Sequence, residues 1–379
     1  MLRQRCGRCG NRVYFDNWSC LACGARLGLR PDLMHMAALA KTGGGWWADA
    51  EDDSGPRYRM CGNSLEHAIC NGILREEEAG NLCRACRFTQ HIPSLTMPGH
   101  LEYWRRLERA KRRLLFTLAA LELPLVPRSE SAGGLGFAFG ADLTPGQRFM
   151  TSHADGVISI NIAEADDVER ERLRNGMGEP YRTLLGHLRH ESGHYYLSKL
   201  REVPGTTGAV NAQFGDVDSG YHDALTDYYA GARPSGWTDH YISAYATAHP
   251  QEDWAETWAH YLLITDTLQS AAQAGVEPVP SASGSPAGLK DSTNFDRMLA
   301  RWLPLAEFAN ELSRSLGSAD AYPFVLSATV ATKLSLIDRL VRASCNRLGA
   351  TSGMRVAEIA APCRDTVDEE MGVASSRSA

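Results

Sequence analysis

The sequence predicts an α+β chain in which small cysteine-rich modules precede a mainly helical domain that contains a small sheet. Three observations predict this class. Eight of the ten cysteines lie within the first 86 residues, helical periodicity of apolar residues dominates after Pro98, and two short segments between residues 136 and 162 alternate as strands do. With 379 residues, the chain is long enough for two or three domains.

The composition is that of an ordinary globular protein. The net charge of −6 gives no general attraction to nucleic acid or to an anionic membrane, so we expect neither as a partner. No run of about 18 apolar residues occurs, and the N-terminus lacks the apolar core of a signal peptide. We therefore expect a cytoplasmic protein, whose reduced cysteines bind metal rather than form disulfides.

The first cysteines form two CxxC pairs with the spacing of a zinc ribbon. They are Cys6, Cys9, Cys20 and Cys23. Each pair forms a knuckle that directs two thiolates at one ion, and two knuckles complete a tetrahedral Cys₄ zinc site. A short strand is expected between them at residues 13–15. We predict a zinc ribbon over residues 1–28, in which a structural zinc supplies much of the folding free energy.

A second quartet lies in the following segment, residues 29–97. It consists of Cys61, Cys70, Cys83 and Cys86. Only the last two have knuckle spacing, so a second structural Cys₄ zinc site is favoured, with His67 as an alternative in place of Cys61 or Cys70. The remaining cysteines, Cys345 and Cys363, are far apart near the C-terminus, and we expect ordinary thiols there.

The first helical segment runs from Pro98 to about Leu123 and is locally basic. Its six basic residues are Arg105, Arg106, Arg109, Lys111, Arg112 and Arg113. We interpret this run as a solvated helix face in preference to a phosphate-binding surface.

Two segments in the middle of the chain predict strands. In residues 136–140 the phenylalanines alternate with small residues, and in residues 157–162 the isoleucines share one face. The turn signal Asp155-Gly156 precedes the second segment. We predict that this second segment is an edge strand, whose free backbone groups can pair with an extended chain, with an ordinary sheet strand as the alternative.

The next helix, which starts after residues 178–180, contains the spacing HExxH. Residues four apart share one face of a helix, so His190 and His194 can bind one Zn²⁺ while Glu191 lies beside it. Such a zinc ion leaves a position for water, whose proton Glu191 can accept. We expect His187, on the same face, to support the site rather than to bind the metal. The alternative is a polar helix face with two surface histidines.

A third ligand must come from elsewhere in the chain. No histidine follows at the HExxHxxGxxH spacing of metzincins. A later helix, residues 249–261, carries Glu252, Glu256 and His260 at intervals of four on one face. We favour Glu256 as the ligand because it lies in mid-helix, whereas Glu252 suits the dipole at the helix N-terminus.

Further residues are candidates near this site. Asp216 and His260 are alternative ligands or supports of the ligating histidines. Tyr241 and Tyr245 precede the acidic helix, and either hydroxyl could donate to the oxyanion of a hydrolytic reaction. We take Tyr245 as the candidate, with core packing as the alternative for both tyrosines.

Several segments resemble the bacterial zinc-binding metallopeptidase family that carries an N-terminal zinc ribbon. The matching segments are Cys6-Gly-Arg-Cys9-Gly, Cys83-Arg-Ala-Cys86-Arg, residues 178–196, residues 249–261 and Tyr322-Pro323-Phe324. The resemblance covers most of the chain and implies a gluzincin-like peptidase domain. It also implies that His190 and His194 bind the catalytic zinc with one glutamate of the 252–256 pair, and that Glu191 is the base. Ser192 stands where an apolar residue is expected in relatives, and this affects no catalytic group.

The C-terminal third is predicted to be helical. Segments 295–316 and 324–348 have helical patterns, interrupted at Pro304 and at residues 317–323. The predicted division of the whole chain is 1–28 zinc ribbon, 29–97 second Cys₄ module, 98–272 zincin-like catalytic domain, 273–290 linker or loop, 291–350 helical subdomain and 351–379 partly disordered tail.

Together these features predict a zinc metallopeptidase that binds one catalytic and two structural zinc ions and acts on a peptide or protein. The ribbon is a candidate docking surface for a protein partner. The alternative is a non-catalytic zinc-binding scaffold or adaptor that uses the ribbon to bind a protein or nucleic acid. The sequence identifies neither the substrate nor the bond that is cleaved.

Overall fold

The order of the elements follows the predicted α+β class, with small sheets in the cysteine-rich N-terminal part and helices in most of the rest. A computed structural model describes residues 4–32, 34–52, 54–142, 148–177, 182–231, 234–276 and 294–348. Residues 277–290 of the predicted linker, the predicted tail 351–379 with Cys363, and the side chain of Cys345 lie outside the described part. No helix in the described ranges is long and apolar enough to cross a membrane.

The N-terminal ribbon starts with a two-stranded antiparallel hairpin. Strands β1 (Gln4–Arg5) and β2 (Arg12–Val13) pair, so the strand expected at residues 13–15 begins one residue earlier and is shorter. The first knuckle turns at Gly10 and the second at Gly24, each with a positive φ that residues with a Cβ rarely adopt. The hairpin and the two knuckles hold the first four cysteines together.

A five-stranded antiparallel sheet follows, which the sequence analysis did not predict. Its strands are β3 (Arg26–Leu29), β4 (Met36–Gly43), β5 (Trp46–Asp49), β6 (Tyr58–Met60) and β7 (Ile73–Arg75), paired in that order. A short helix, α1 (Gly62–Glu66), lies between β6 and β7. The alanines and the lysine of β4 have weak strand propensity, so this strand depends on packing around buried side chains such as Leu39 and Ile73.

A short helix, α2 (Arg84–Arg87), and strand β8 (Thr89–His91) lead into the long helix α3 (His100–Ala120). The helix predicted from Pro98 is therefore confirmed. Its apolar face is buried, with Trp104 and Leu107 almost inaccessible to solvent. This helix connects the cysteine-rich modules to the helical part of the chain.

The basic residues of α3 are only partly the solvated face that the sequence predicted. Lys111 and Arg112 are buried, and Lys111 forms an ion pair with Glu108 at 2.8 Å in which both side chains are fully inaccessible. Arg113 pairs with Asp16 of the ribbon at 2.6 Å. Burial requires the charges of Lys111 and Arg112 to be paired, and Arg112 Nη2 lies 3.7 Å from Asp16 Oδ1, so part of the basic run holds the ribbon to the helix.

The second sheet contains both predicted strands, β9 (Gly136–Gly140) and β11 (Val157–Asn161), with β10 (Ser152–Ala154) between them in sequence. The order in the sheet is β10-β11-β9-β8. The prediction that the second strand is an edge is wrong, because the chain folds back at Asp155-Gly156 and β10 covers that side. A strand of three weakly patterned residues gives too little signal in the sequence. β8 belongs to this sheet although it lies within the segment 29–97.

After β11 most of the described chain is helical. A 3₁₀ turn (Ile162–Ala165) precedes α4 (Asp167–Met177), α5 (Leu184–Arg201), α6 (Thr206–Phe214), α7 (Tyr221–Tyr229), α8 (Pro250–Ala274), α9 (Asn294–Ser315) and α10 (Ala328–Leu348). The predicted interruption at Pro304 is wrong, since α9 continues through it. Its neighbours Trp302 and Leu305 are buried, and this packing outweighs the cost of a proline inside a helix, about 3 kcal/mol.

Helix α5, which contains the HExxH spacing, packs against α8 and α3. It also contacts β10 and β11 of the second sheet. Helix α10 packs on α8 in turn. The HExxH helix therefore has an acidic helix beside it and the edge of a sheet within reach.

Candidate metal centre and active site

Both helices of the site start at side-chain caps. The Thr183 hydroxyl accepts a hydrogen bond from the Gly186 N–H at 3.0 Å, and α5 begins at the next residue. At the start of α8, the His249 Nδ1 accepts from the Gln251 N–H at 3.1 Å, and Pro250 occupies the first helical position. Each cap satisfies a backbone donor that has no partner within its helix.

Two tryptophans of α8 bond to α5 directly beside the HExxH histidines. The Trp254 Nε1–H donates to the Gly193 carbonyl at 3.0 Å, and the Trp258 Nε1–H donates to the Ser192 hydroxyl at 3.0 Å. Ser192, which stands where an apolar residue is expected in relatives, is therefore the acceptor of a buried indole. These contacts fix how α8 lies along α5 and hence which acidic residues meet the histidines.

His190, His194 and Glu252 form one ligand group. One imidazole nitrogen of each histidine and one carboxylate oxygen of Glu252 lie within 4.8 Å of one another. His190 Nε2 is 3.0 Å from Glu252 Oε2, and His194 Nε2 is 3.6 Å from Glu252 Oε1. Glu252 is 1% exposed, and its Oε2 has no hydrogen-bond partner within the described ranges. Two imidazole nitrogens and a buried carboxylate oxygen that needs a partner fit a zinc ion.

Glu256 lies on the other side of the His190 ring. The His190 Nδ1–H donates to Glu256 Oε1 at 2.6 Å, which leaves the Nε2 lone pair free to bind a metal. The sequence favours Glu256 as the ligand, whereas in the structure Glu252 is the glutamate whose oxygens lie near both histidines. The two acids are one helical turn apart on α8, and of the two only Glu252 belongs to the ligand group. The crossing of α5 and α8 selects between them.

His187 lies between Glu191 and another buried acidic residue, Glu164. The His187 Nδ1–H donates to Glu164 Oε2 at 2.6 Å, and His187 Nε2 lies 3.2 Å from Glu191 Oε1. Burial opposes a charge on His187, but the carboxylates of Glu164 and Glu191 outweigh it and raise its pKa to about 9. The helical spacing predicts His187 near the site, whereas no spacing in the sequence connects Glu164 to HExxH.

Two tyrosines lie over the ligand group. The Tyr245 ring is 5.9 Å from the His190 ring, centroid to centroid, and burial raises the pKa of its hydroxyl, as do the nearby Glu252 and Tyr229. The Tyr221 hydroxyl donates to Glu252 Oε1. The sequence predicts Tyr245 near the site but not Tyr221, which lies on α7 with no motif around it.

The remaining candidates are outside the ligand group. Asp216 is exposed and accepts a hydrogen bond from the Asp218 N–H at 3.1 Å. His260 is buried, and its Nδ1 is 2.8 Å from the Tyr322 hydroxyl. Burial lowers the pKa of His260 to about 4. The Tyr241 ring packs under the Lys333 ammonium, 4.4 Å from the ring centroid.

The structure brings both cysteine quartets together. In the first, the sulfurs of Cys6 and Cys23 are 3.7 Å apart and those of Cys9 and Cys20 are 3.6 Å apart. A tetrahedral zinc with bonds of about 2.3 Å separates its sulfurs by about 3.8 Å, whereas a disulfide bond is about 2.05 Å long. These four thiols are therefore spaced for one zinc ion.

The second quartet is buried, and its four sulfurs also lie within 4.8 Å of one another. The Cys83 N–H donates to the Cys61 sulfur at 3.3 Å. The alternative ligand His67 instead packs its ring against Trp104, 5.5 Å between centroids, and does not belong to the group. All four predicted cysteines therefore meet without the histidine.

The chain is similar to known sequences over most of its length. Residues 100–340 match a family described as "Putative zinc-binding metallo-peptidase", and residues 3–97 match a zinc-ribbon domain. Uncharacterized proteins from Mycobacterium bovis and from two strains of Mycobacterium tuberculosis are 41% identical over 337 residues, which cover 89% of this chain and 94% of each relative. No solved structure matches the chain.

Proposed function

The chain belongs to the zinc-binding metallo-peptidase family, with an N-terminal zinc-ribbon domain, and from this premise we propose that it is a zinc-dependent peptidase that hydrolyses peptide bonds. The observation that carries the proposal is the ligand group of His190, His194 and Glu252, with Glu191 adjacent on the same helix. These three residues would hold the catalytic zinc. When bound, zinc would polarise a peptide carbonyl and acidify water.

Glu191 is proposed as the general base. Burial works against its charge, but the hydrogen bond from His187 lowers the pKa of Glu191 below the ordinary value, which favours the ionised carboxylate. An ionised carboxylate can accept a proton from the attacking water and pass it to the leaving amine. Tyr245, whose raised pKa keeps its hydroxyl protonated, is proposed as the donor to the oxyanion.

The edge of the second sheet is proposed to bind the substrate backbone. On β10, the His153 ring stacks on the His194 ring with centroids 6.4 Å apart and an angle of 12° between the rings. β10 is therefore next to the ligand group, and among the described strands it pairs only with β11. Its free side can add an extended peptide as a further strand, which favours an unfolded segment over a folded protein as substrate.

The two cysteine quartets are proposed to hold structural zinc. Each has four thiols and no open position, so together with the catalytic ion the chain would bind three zinc ions. The ribbon is also proposed as the docking surface for a protein partner. A scaffold protein without catalysis would need the quartets but not Glu191.

The substitution Glu191→Gln tests the proposal. It keeps the size of the side chain and all three metal ligands, so we expect about three zinc ions per chain and loss of hydrolysis of internally quenched peptides. Zinc content is measured by mass spectrometry of the purified chain. Undiminished hydrolysis in the zinc-loaded variant would exclude Glu191 as the base, and an inactive wild type with two zinc ions would favour the scaffold.

A further inference from the structure

We propose that His187, anchored by Glu164, is a positioning residue that holds the Glu191 carboxylate in one orientation. The inference rests on the proposed peptidase function, in which Glu191 is the base. His187 precedes Glu191 by one helical turn, so the two side chains share a face of α5. Its two ring nitrogens contact two different carboxylates, and this arrangement carries the argument.

The contact with Glu164 fixes the ring. The His187 Nδ1–H donates to Glu164 Oε2 at 2.6 Å, and a carboxylate oxygen can only accept, so Nδ1 must carry the proton. Nε2 faces the carboxylate of Glu191, which can also only accept, so Nε2 carries a proton as well and donates to Glu191 Oε1 at 3.2 Å. Within the described ranges, no residue hydrogen-bonds to the second oxygen of Glu191. One oxygen is therefore held and the other is left for the water.

Glu164 is itself held from three sides. Its Oε1 accepts from the Thr151 hydroxyl at 3.0 Å, and its Oε2 accepts from Arg182 Nη2 at 3.2 Å as well as from His187. The Thr151 hydroxyl oxygen also accepts from the Asn161 N–H at 3.2 Å, at the end of β11. The chain of contacts thus starts at β11, which is the neighbour of β10 in the sheet. It continues through Glu164 and His187 to Glu191, the proposed base.

Two simpler roles do not fit these contacts. A metal-ligand role does not fit because the His187 ring lies outside the ligand group of His190, His194 and Glu252. If His187 only stabilised the fold through an ion pair, its contact with Glu164 would be sufficient. The second contact, to the residue that would move the proton, gives His187 a function in catalysis.

The kinetic test compares three variants on the internally quenched peptide that the wild type cleaves fastest. His187→Leu should lower kcat about 10- to 100-fold with KM nearly unchanged, because His187 touches the base and not the substrate. His187→Gln places an amide donor near the Nε2 position and should recover part of kcat. Adding Glu164→Gln to His187→Leu should lower kcat no further, because Glu164 acts through His187.

Controls separate positioning from unfolding or metal loss. Zinc content should stay at the wild-type value in all three variants, since no metal ligand is changed. His91→Leu, on β8 at the opposite edge of the same sheet, removes an exposed histidine and should leave kcat unchanged. If Glu191→Gln is inactive but zinc-loaded His187→Leu has the wild-type kcat, the inference about His187 is overturned. The proposed peptidase function would still stand in that case.

A second measurement does not need activity. In the chain with ¹⁵N-labelled histidine, the His187 Nδ1–H should give a slowly exchanging proton signal in NMR spectra, assigned by its absence in His187→Gln. Glu164→Gln should abolish the signal, and Glu191→Gln should shift the Nε2 resonance of His187. If neither substitution changes the His187 signals, the inference is overturned. If the wild type cleaves no peptide, the proposed function fails while this measurement still reports on the contacts.

Discussion

Gly193 faces Ala255 across the contact between α5 and α8, and a Cβ on Gly193 would lie 2.9 Å from the Ala255 Cα. Backbone atoms cannot yield as a flexible side chain can. The absence of a side chain at Gly193 therefore sets the distance between the two helices that supply the ligand group. Since the histidines come from α5 and Glu252 from α8, the metal centre depends on this approach.

We expect Gly193→Ala to weaken zinc binding at the catalytic site at least about tenfold and to lower the free energy of unfolding by about 1–3 kcal/mol, because overpacking pushes the helices apart. Competition with a chelator and urea unfolding measure the two effects. Gly208→Ala is the matched control, since no atom lies within 4 Å of the added Cβ on α6. Equal behaviour of the two variants would show that the helix contact does not control the metal centre.

Substitutions of Glu252 and Glu256 should differ in their effect on binding of the catalytic zinc. Glu252→Gln should lose this ion, so that zinc per chain falls by one. Glu256→Gln should keep the ion with an affinity reduced about 10- to 100-fold, because it removes only the hydrogen bond that orients His190. Zinc content and chelator competition measure both. The reverse ranking of the two variants would make Glu256 the ligand.

The two tyrosines should have separable effects. Tyr245→Phe removes the proposed donor to the oxyanion and should lower kcat about 100- to 1000-fold while zinc stays bound. Tyr221→Phe removes the hydrogen bond to Glu252 and should mainly change zinc affinity. Kinetics and chelator competition on both variants provide the check. A normal kcat in Tyr245→Phe would remove this tyrosine from the mechanism.

The second cysteine quartet should be essential for the folding of the N-terminal module that contains it. Cys83→Ser should lose one zinc ion and unfold the surrounding module, since structural zinc contributes roughly 10–16 kcal/mol of binding free energy. His67→Ala should keep that ion, because the ring lies outside the ligand group. Zinc content and amide hydrogen exchange over residues 54–91 test both. Loss of zinc in His67→Ala would restore the histidine as a ligand.

His260 should make stability depend on pH. Its pKa falls from 6.5 to about 4 on folding because burial disfavours the charged ring. Between pH 6.5 and 4, His260 therefore binds a proton in the unfolded chain but not in the folded chain. The free energy of unfolding is thus highest above pH 6.5 and decreases as the pH falls toward 4. The loss approaches about 1.4 kcal/mol per pH unit. Urea unfolding of the wild type and of His260→Asn, which cannot titrate, should diverge over this range, and parallel curves would contradict the assignment.

The sequence by itself determined the parts of this protein that depend on local spacing. The HExxH helix, the acidic helix, the strands β9 and β11 and the membership of the first cysteine quartet follow from residues a few positions apart, or from the restricted chemistry of thiols. The sequence also identified the family. Such features need no knowledge of how distant segments pack.

Only the tertiary structure decided which groups meet across elements. The choice of Glu252 over Glu256 depends on how α8 lies along α5, and the edge position of β10 depends on a turn that folds three weakly patterned residues over β11. The contact of Glu164 with His187 joins a turn after a strand to a helix 23 positions later. Side-chain periodicity defines the face of one element, whereas the register between two elements results from packing of the whole core.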